Sequence, residues 1–570
     1  MKNPIIQFEN YTFKYRTQKE PTLKNINLTI YEGEKVLIVG PSGSGKSTLS
    51  NCINGLVPFS YKGDIKGKLT IKGKTPHKAG IFEMSQIVGT VLQDPDGQFV
   101  GLTVGEDIAF SLENDCVKQV EMKERVYQAA KTVGVHELLR HSPQELSGGQ
   151  KQRVSMAGVM VVGCDILLFD EPLANLDPAT GKYAIDLIDK IHNESKKTII
   201  IIEHRLEDVL YRDVDRIVVV ANGGIVADLT TDEILSSNIL KEHGIREPLY
   251  ISALKYAGCQ LKKESKPSNL NKMELGAFQC AVRDWYQSVD IKEKENMNSE
   301  ILKVSNLSFG YDDQVEVVSD ISFSIKKGEM ISIVGKNGAG KSTLSKLICG
   351  FQTPTKGMIL YDGQDMISDS IKERAEKIGI VMQNPNQMIS KSMIKEEVAL
   401  GLIARGVAPE VIEKRVDDTL RICGLYQYRN WPIQALSFGQ KKRVTIASIL
   451  VLQPKILILD EPTAGQDFRH YTEIMEFLKK LNKEQGITII LITHDMHLML
   501  EYTDRAIVIA DGKLIEDNSS ASVLTNRDII EKASLKETSL YDLALRCDID
   551  NPTTFVERFI QYDREVRSNG

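Results

Sequence analysis

Ile166-Leu-Leu-Phe-Asp170-Glu171-Pro172 returns 290 residues later as Ile456-Leu-Ile-Leu-Asp460-Glu461-Pro462, and these two stretches decide how the chain is read. Four apolar residues without alternation suit a strand buried on both faces of a parallel sheet, and the acidic pair then emerges at its carboxyl end. Upstream of each lies a second apolar run, Lys35-Val-Leu-Ile-Val39 or Met330-Ile-Ser-Ile-Val334. These lead into Gly40-Pro41-Ser42-Gly43-Ser44-Gly45-Lys46-Ser47-Thr48 and Gly335-Lys336-Asn337-Gly338-Ala339-Gly340-Lys341-Ser342-Thr343. A Gly-x-x-x-x-Gly-Lys-Ser run between strand and helix lets backbone N–H groups converge on phosphates, and the helix N-terminus adds its positive end. Lys46 and Lys341 are the residues to reach the β/γ-phosphates, and the Ser47 and Ser342 hydroxyls are the ones to ligate Mg²⁺. Asp170 and Asp460 are placed to hold the same ion. Glu171 and Glu461 can polarise the attacking water as general base.

The duplication extends well beyond these elements. Gln93 and Gln383, Leu146-Ser147-Gly148-Gly149-Gln150 and Leu436-Ser437-Phe438-Gly439-Gln440, and His204 and His494 are also separated by 290 residues. Each histidine follows another buried run, Ile199–Ile202 or Ile489–Ile492, where it could hydrogen-bond the transferring γ-phosphate. Each half opens with period-two alternation, Ile6-Gln-Phe-Glu and Leu302-Lys-Val-Ser, as in antiparallel strands. Helical patterns cover residues 117–133 and 409–423. The expected fold is therefore α/β: two P-loop domains, each a mainly parallel sheet core with an antiparallel β subdomain and a helical subdomain.

Composition narrows the class further. Apolar content of 42% and charged content of 26% are those of a globular protein, and a net charge of −6 gives no basic field for nucleic acid. The eight scattered cysteines include no Cys-x-x-Cys, which disfavours a disulfide framework or structural zinc and suits a reducing cytosol. The opening residues carry no long apolar run, so no secretory segment is expected. No apolar stretch approaches the roughly 18–20 residues that span a bilayer.

Ser147-Gly148-Gly149-Gln150 followed by Lys151-Gln152-Arg153 resembles the signature found in ABC-type ATPases, and the resemblance covers both halves. It implies two nucleotide-binding domains that pair head to tail within one chain. Each ATP would then lie between one phosphate loop and the opposite signature, whose Ser147, Gly149 and Gln150, or Ser437, Gly439 and Gln440, face the γ-phosphate. The resemblance also implies Tyr15 and Tyr311 against adenine, and Gln93 and Gln383 as Q-loop residues near both nucleotide and Mg²⁺. Asp177 and Asp467 would be D-loop aspartates. Phe438 departs from the pattern and should weaken the second signature at most.

Three kinds of tandem ABC chain are weighed. Gln93-Asp-Pro-Asp-Gly-Gln98-Phe99, Thr103-Val-Gly-Glu106-Asp107 and Glu203-His204-Arg205 resemble ATP-binding components of energy-coupling factor (ECF) transporters, importers of vitamins and metal ions. That resemblance implies a transmembrane T component and a substrate-binding S component as partners, at the cytoplasmic face of the membrane. A tandem sugar-importer ATPase commonly loses catalytic residues in one copy, whereas Glu171 and Glu461 both survive here. A ribosome-associated ABC protein would join its halves by a highly charged helical linker. The expected domains are 1–246 and 300–525, with a solvated linker over 247–299 and a C-terminal extension over 526–570 that lacks a counterpart in the first half. A short helix is expected near 277–286. The segments after each Q-loop, around Phe99 and Met388, are expected to contact the membrane partner.

Overall fold

The unalternating apolar runs become the centres of two six-stranded sheets. In the computed structural model, which describes residues 3–174, 176–290, 299–311 and 315–569, the chain divides into two compact units. The first comprises Met1–Gln287 with Gly465–Arg469 and Asp542–Ile549, and the second comprises the remainder. In the first unit, β1 (Pro4–Tyr15), β2 (Leu23–Tyr31) and β4 (Gly63–Ile71) form an antiparallel sheet in the order β2-β1-β4. Its main sheet contains β3 (Lys35–Val39), β5 (Val88–Val91), β6 (Ile166–Asp170), β7 (Thr198–Ile202), β8 (Arg216–Ala221) and β9 (Gly224–Leu229), in the order β5-β6-β7-β3-β8-β9. All its pairings are parallel except that of β8 with β9.

The second unit repeats this plan. There β10 (Glu300–Gly310), β11 (Glu316–Lys326), β13 (Lys356–Tyr361) and β14 (Gln364–Asp365) form the antiparallel sheet. Its main sheet has β12 (Met330–Val334), β15 (Ile378–Val381), β16 (Ile456–Asp460), β17 (Thr488–Ile492), β18 (Arg505–Ala510) and β19 (Lys513–Ser519), in the order β15-β16-β17-β12-β18-β19. The α/β expectation holds in both halves. In each unit one buried core joins the two sheets around the helix that follows the phosphate loop: Leu49, Cys52 and Ile53 in the first, Leu344, Leu347 and Ile348 in the second.

Strand order is what assembles a site. Because β6, β7 and β3 are consecutive neighbours, their carboxyl ends bring Asp170-Glu171, His204 and the Gly40 loop to one edge of the sheet. The order β16-β17-β12 does the same for Asp460-Glu461, His494 and the Gly335 loop.

The expectation of a solvated linker from 247 is overturned as far as 288. The helices Leu249–Tyr256 and Gln279–Ser288 bury Ile251, Leu254, Val282 and Trp285, and Leu270, Met273 and Leu275 between them are buried too. Periodicity is weak there because much of the segment is irregular and is held by side-chain bonds. Tyr250 donates its hydroxyl to Pro267 O at 2.6 Å, and Asp232 accepts Ser268 N–H at 2.8 Å. The charged run at 291–298 lies outside the described residues. Leu254→Ala should therefore destabilise the first unit by roughly 2–5 kcal/mol, the range for a buried Leu→Ala. A solvated linker would allow only about 0.5 kcal/mol, and the unit's thermal or denaturant midpoint separates the two.

The view that the tail has no counterpart is likewise corrected. Helices Ser520–Leu524, Arg527–Ala533 and Ser539–Arg546 succeed β19 as Thr231–Ser236, Ile239–Glu242 and Leu249–Tyr256 succeed β9. The similarity was obscured by a one-residue slip, which sets Leu249-Tyr250 and Ala253-Leu254-Lys255 against Leu540-Tyr541 and Ala544-Leu545-Arg546. The last helix, Pro552–Asn569, is fixed within the second unit by Arg567, whose guanidinium lies 3.3 Å from the buried Glu501 carboxylate.

Candidate active sites

Each phosphate loop is closed on its own lysine. Lys46 Nζ donates to Gly40 O at 2.8 Å and to Pro41 O at 2.9 Å, and Lys341 Nζ repeats this with Gly335 O and Lys336 O at 2.8 and 2.9 Å. Both lysines are buried, and burial lowers the pKa of Lys46 against the opposing pull of Glu171, Asp467 and Asp170. Gly45 and Gly340 enter their helices at φ 108° and 99°, in the left-handed region, and a Cβ at Gly340 would lie 2.7 Å from Val317 O. At Gly43 and Gly338 nothing lies within 4 Å of a would-be Cβ, so the loop is uncrowded there. Ser47 and Ser342 occupy the first turns of the helices Lys46–Ile53 and Lys341–Ile348. Tyr15 and Tyr311 reach the following residues, with hydroxyls 3.0 Å from Thr48 Oγ1 and 3.4 Å from Thr343 Oγ1.

The acidic pair, glutamine and histidine converge as the strand order requires. In the first copy His204 Nε2 lies 2.9 Å from Glu171 Oε1, and Gln93 Nε2 donates to Glu171 Oε2 at 2.5 Å. In the second, His494 Nδ1 lies 2.7 Å from Glu461 Oε1. Burial, and then the neighbouring Glu171, push the Asp170 carboxyl up to about 6; Asp460 is raised for the same two reasons. Such carboxylates gain from a cation, and Ser342 Oγ faces Asp460 Oδ2 at 3.4 Å. Hydroxyl and carboxylate oxygens are hard donors that suit magnesium.

Glu171 and Glu461 themselves stand at φ 49° and 46°, a conformation that costs a non-glycine residue about 1–3 kcal/mol and persists only when neighbours enforce it. The sequence offers Gln152 and Glu203 only as parts of motifs and gives Lys442 no role, and these neighbours differ between copies. In the first, Gln152 Nε2 donates to Pro172 O, while the buried Glu203 carboxylate accepts Leu173 N–H at 3.0 Å. In the second, the position equivalent to Gln152 is Lys442, whose ammonium donates to Gln383 O at 2.8 Å and Glu461 O at 3.2 Å. Burial brings Lys442 down to about 8, so it stays mostly protonated at neutral pH. The equivalent of Glu203 is Thr493. The available signal was a pair of charge differences at the 290-residue offset.

The signature residues lie apart from this hydrogen-bonded group. Ser147 and Ser437 cap the helices Gly148–Met160 and Phe438–Leu450 in reciprocal boxes with Gln150 and Gln440. A Cβ at Gly148 would meet nothing within 4 Å, which explains why Phe438, 44% exposed, fits without disturbing the cap. Gly149 is constrained instead, because a Cβ there would collide with the Thr180 methyl; Gly439 faces His470. Asp177 caps its own helix by accepting Thr180 N–H at 2.9 Å. Asp467, which belongs to the first unit, accepts the Ser42 N–H. After Gln93, Val100 and Leu102 are 64% and 83% exposed, whereas Phe99, Met388 and Ile389 are half-buried.

Comparison with known proteins bears on these sites. The ABC transporter family model matches residues 23–174 and 318–464, and a model described as "ATP-binding cassette cobalt transporter" matches 237–309. An ABC transporter ATP-binding protein of Clostridium perfringens is 61% identical over 564 residues, 99% of each chain. One of Enterococcus faecalis is 59% identical over 569 residues, 100% of each. A solved structure of cbiO1 from Clostridium perfringens, titled as part of the ABC transporter complex cbiONQ, is 38% identical. It covers 44% of this chain and 99% of its own, with a TM-score of 0.39.

Proposed function

This chain belongs to the ATP-binding proteins of ABC transporters, and from that premise we propose that it is the Mg²⁺-dependent ATPase that energises an ECF-type importer of a vitamin or metal ion. The observation that carries the hydrolytic reading is the double convergence of a phosphate-loop lysine, a strand-end Asp-Glu pair and a histidine bonded to the glutamate. The importer reading is supported by the match at 237–309 to a family described as a cobalt transporter. That description supports a divalent metal ion as the cargo.

In this reading ATP enters each loop and its phosphates replace the loop carbonyls as partners of Lys46 or Lys341. Ser47, Gln93 and Asp170, or Ser342, Gln383 and Asp460, would hold a magnesium ion, which would neutralise phosphate charge. Glu171 or Glu461 accepts the proton of the attacking water. His204 or His494 orients that carboxylate and hydrogen-bonds the γ-phosphate. The resemblance to ABC ATPases implies that the two copies pair head to tail, each signature then serving the opposite loop. Among the described residues no helix is long and apolar enough to cross a membrane. In this reading transport runs through T and S components at the cytoplasmic face, as the resemblance to ECF ATPases implies, and the exposed Val100 and Leu102 support a contact after the first Q-loop.

The test is to isolate the tagged chain from detergent-solubilised cells and identify what accompanies it. Membrane-embedded subunits are the expected partners, and cellular uptake of radiolabelled cobalt should depend on Glu171 and Glu461. Recovery with ribosomes in a salt-sensitive manner, without membrane proteins, would overturn the proposal.

A further inference from the structure

The two glutamates share one strained backbone conformation, yet the buried side chains that brace it differ in kind, an acid in the first copy and an amine in the second. Glu203 is 3% exposed; its Oε1 accepts Leu173 N–H at 3.0 Å, and its Oε2 accepts His204 and Arg205 N–H at 2.6 and 3.0 Å. It therefore joins the turn two residues beyond Glu171 to the strand end that carries His204. Lys442 is 1% exposed and joins different parts, the backbone carbonyls of Gln383 and Glu461. The second copy keeps only the bond two residues on from this set, and among the described residues the first copy shows no counterpart of the bond to the glutamine carbonyl. Gln152 donates to Pro172 O, and the Thr493 hydroxyl accepts Asp495 N–H at 2.9 Å.

We propose that Glu203 and Lys442 are the positioning residues of two deliberately non-equivalent hydrolytic sites, one coupling Glu171 to the histidine loop and the other coupling Glu461 to the Q-loop. The proposal rests on Glu171 and Glu461 being the general bases. A left-handed non-glycine residue relaxes unless its surroundings over-determine it, so loss of either staple lets the carboxylate drift from the water it must activate. The staples also differ in what they sense. Movement of the segment after Gln383 pulls on Glu461 through the Lys442 ammonium. Movement of the His204 strand end pulls on Glu171 through the Glu203 carboxylate. A contact made after the Q-loop therefore bears more directly on hydrolysis in the second copy than in the first.

The experiment follows single-turnover cleavage of a photoactivatable ATP analogue by the full chain, with the label assigned to either copy by proteolytic mapping. Lys442→Gln should slow cleavage in the second copy about tenfold, the loss typical of one buried charge-assisted hydrogen bond, with nucleotide binding there within about twofold. Glu203→Thr should do the same in the first copy. Each defect should be repaired by exchanging the partner position as well, in Lys442→Gln with Thr493→Glu and in Glu203→Thr with Gln152→Lys. Labelling of the other copy shows that each variant is folded. Equal slowing of both copies, weakened binding without slower cleavage, or paired exchanges no better than the single ones would overturn the proposal. A Glu461→Gln control separates the two claims: normal cleavage in the second copy would show that the base assignment itself has failed.

Discussion

Replacing Glu171 and Glu461 together with glutamine is expected to leave nucleotide bound while lowering steady-state hydrolysis by roughly 10²-fold or more, the upper range for loss of a general base. Glutamine preserves the volume of the side chain, and its amide oxygen can still accept the hydrogen bond that Gln93 now gives to Glu171. What it loses is basicity toward water. Hydrolysis and retention of labelled ATP, measured on the same preparation, therefore separate chemistry from binding. Turnover that survives the double replacement would refute the assignment of the base, and loss of binding would point to a structural role for the pair.

Ser437→Arg is the second large effect. Ser437 caps an exposed helix start and accepts Gln440 N–H at 3.3 Å, so an arginine there removes the cap and adds a long charged side chain at that helix start. If each signature serves the opposite loop, cleavage should fall by about 10²–10³-fold at the site of Lys46 and Glu171, comparable to losing a preorganised donor to transition-state charge. The site of Lys341 and Glu461 should then retain nucleotide. Ser147→Arg should produce the mirror result, and mapping the trapped nucleotide to one copy decides between them. A defect confined to the mutated copy's own loop would exclude the head-to-tail arrangement.

Much of the molecule was legible from residue order. Asp170, His204 and the Lys46 loop each follow an apolar run of strand length, and such runs bury on both faces of a parallel sheet wherever they lie. Their side chains must then emerge at strand ends, and their recurrence, at 290 residues for Asp170 and His204 and at 295 for Lys46, made the inference twice over. The segment from 247 to 288 was misread for a physical reason as well. The helix expected near 277–286 is present as Gln279–Ser288, but the buried Leu254 and Met273 belong to a short helix and to irregular backbone, which leave little period in sequence.

By itself, then, the sequence determined that this protein has two α/β copies, each with a phosphate loop, an acidic pair and a histidine in fixed order. Local patterns of strand, turn and helix carry that information within a few residues of each functional side chain. Only the tertiary structure decided what enforces the backbone of Glu171 and Glu461, because those partners are distant along the chain. Lys442 and Gln383 are 59 residues apart, and Glu203 and Leu173 are 30 apart. Whether a buried charge there is a defect or a staple depends on which carbonyl or N–H the fold places within hydrogen-bonding reach of it.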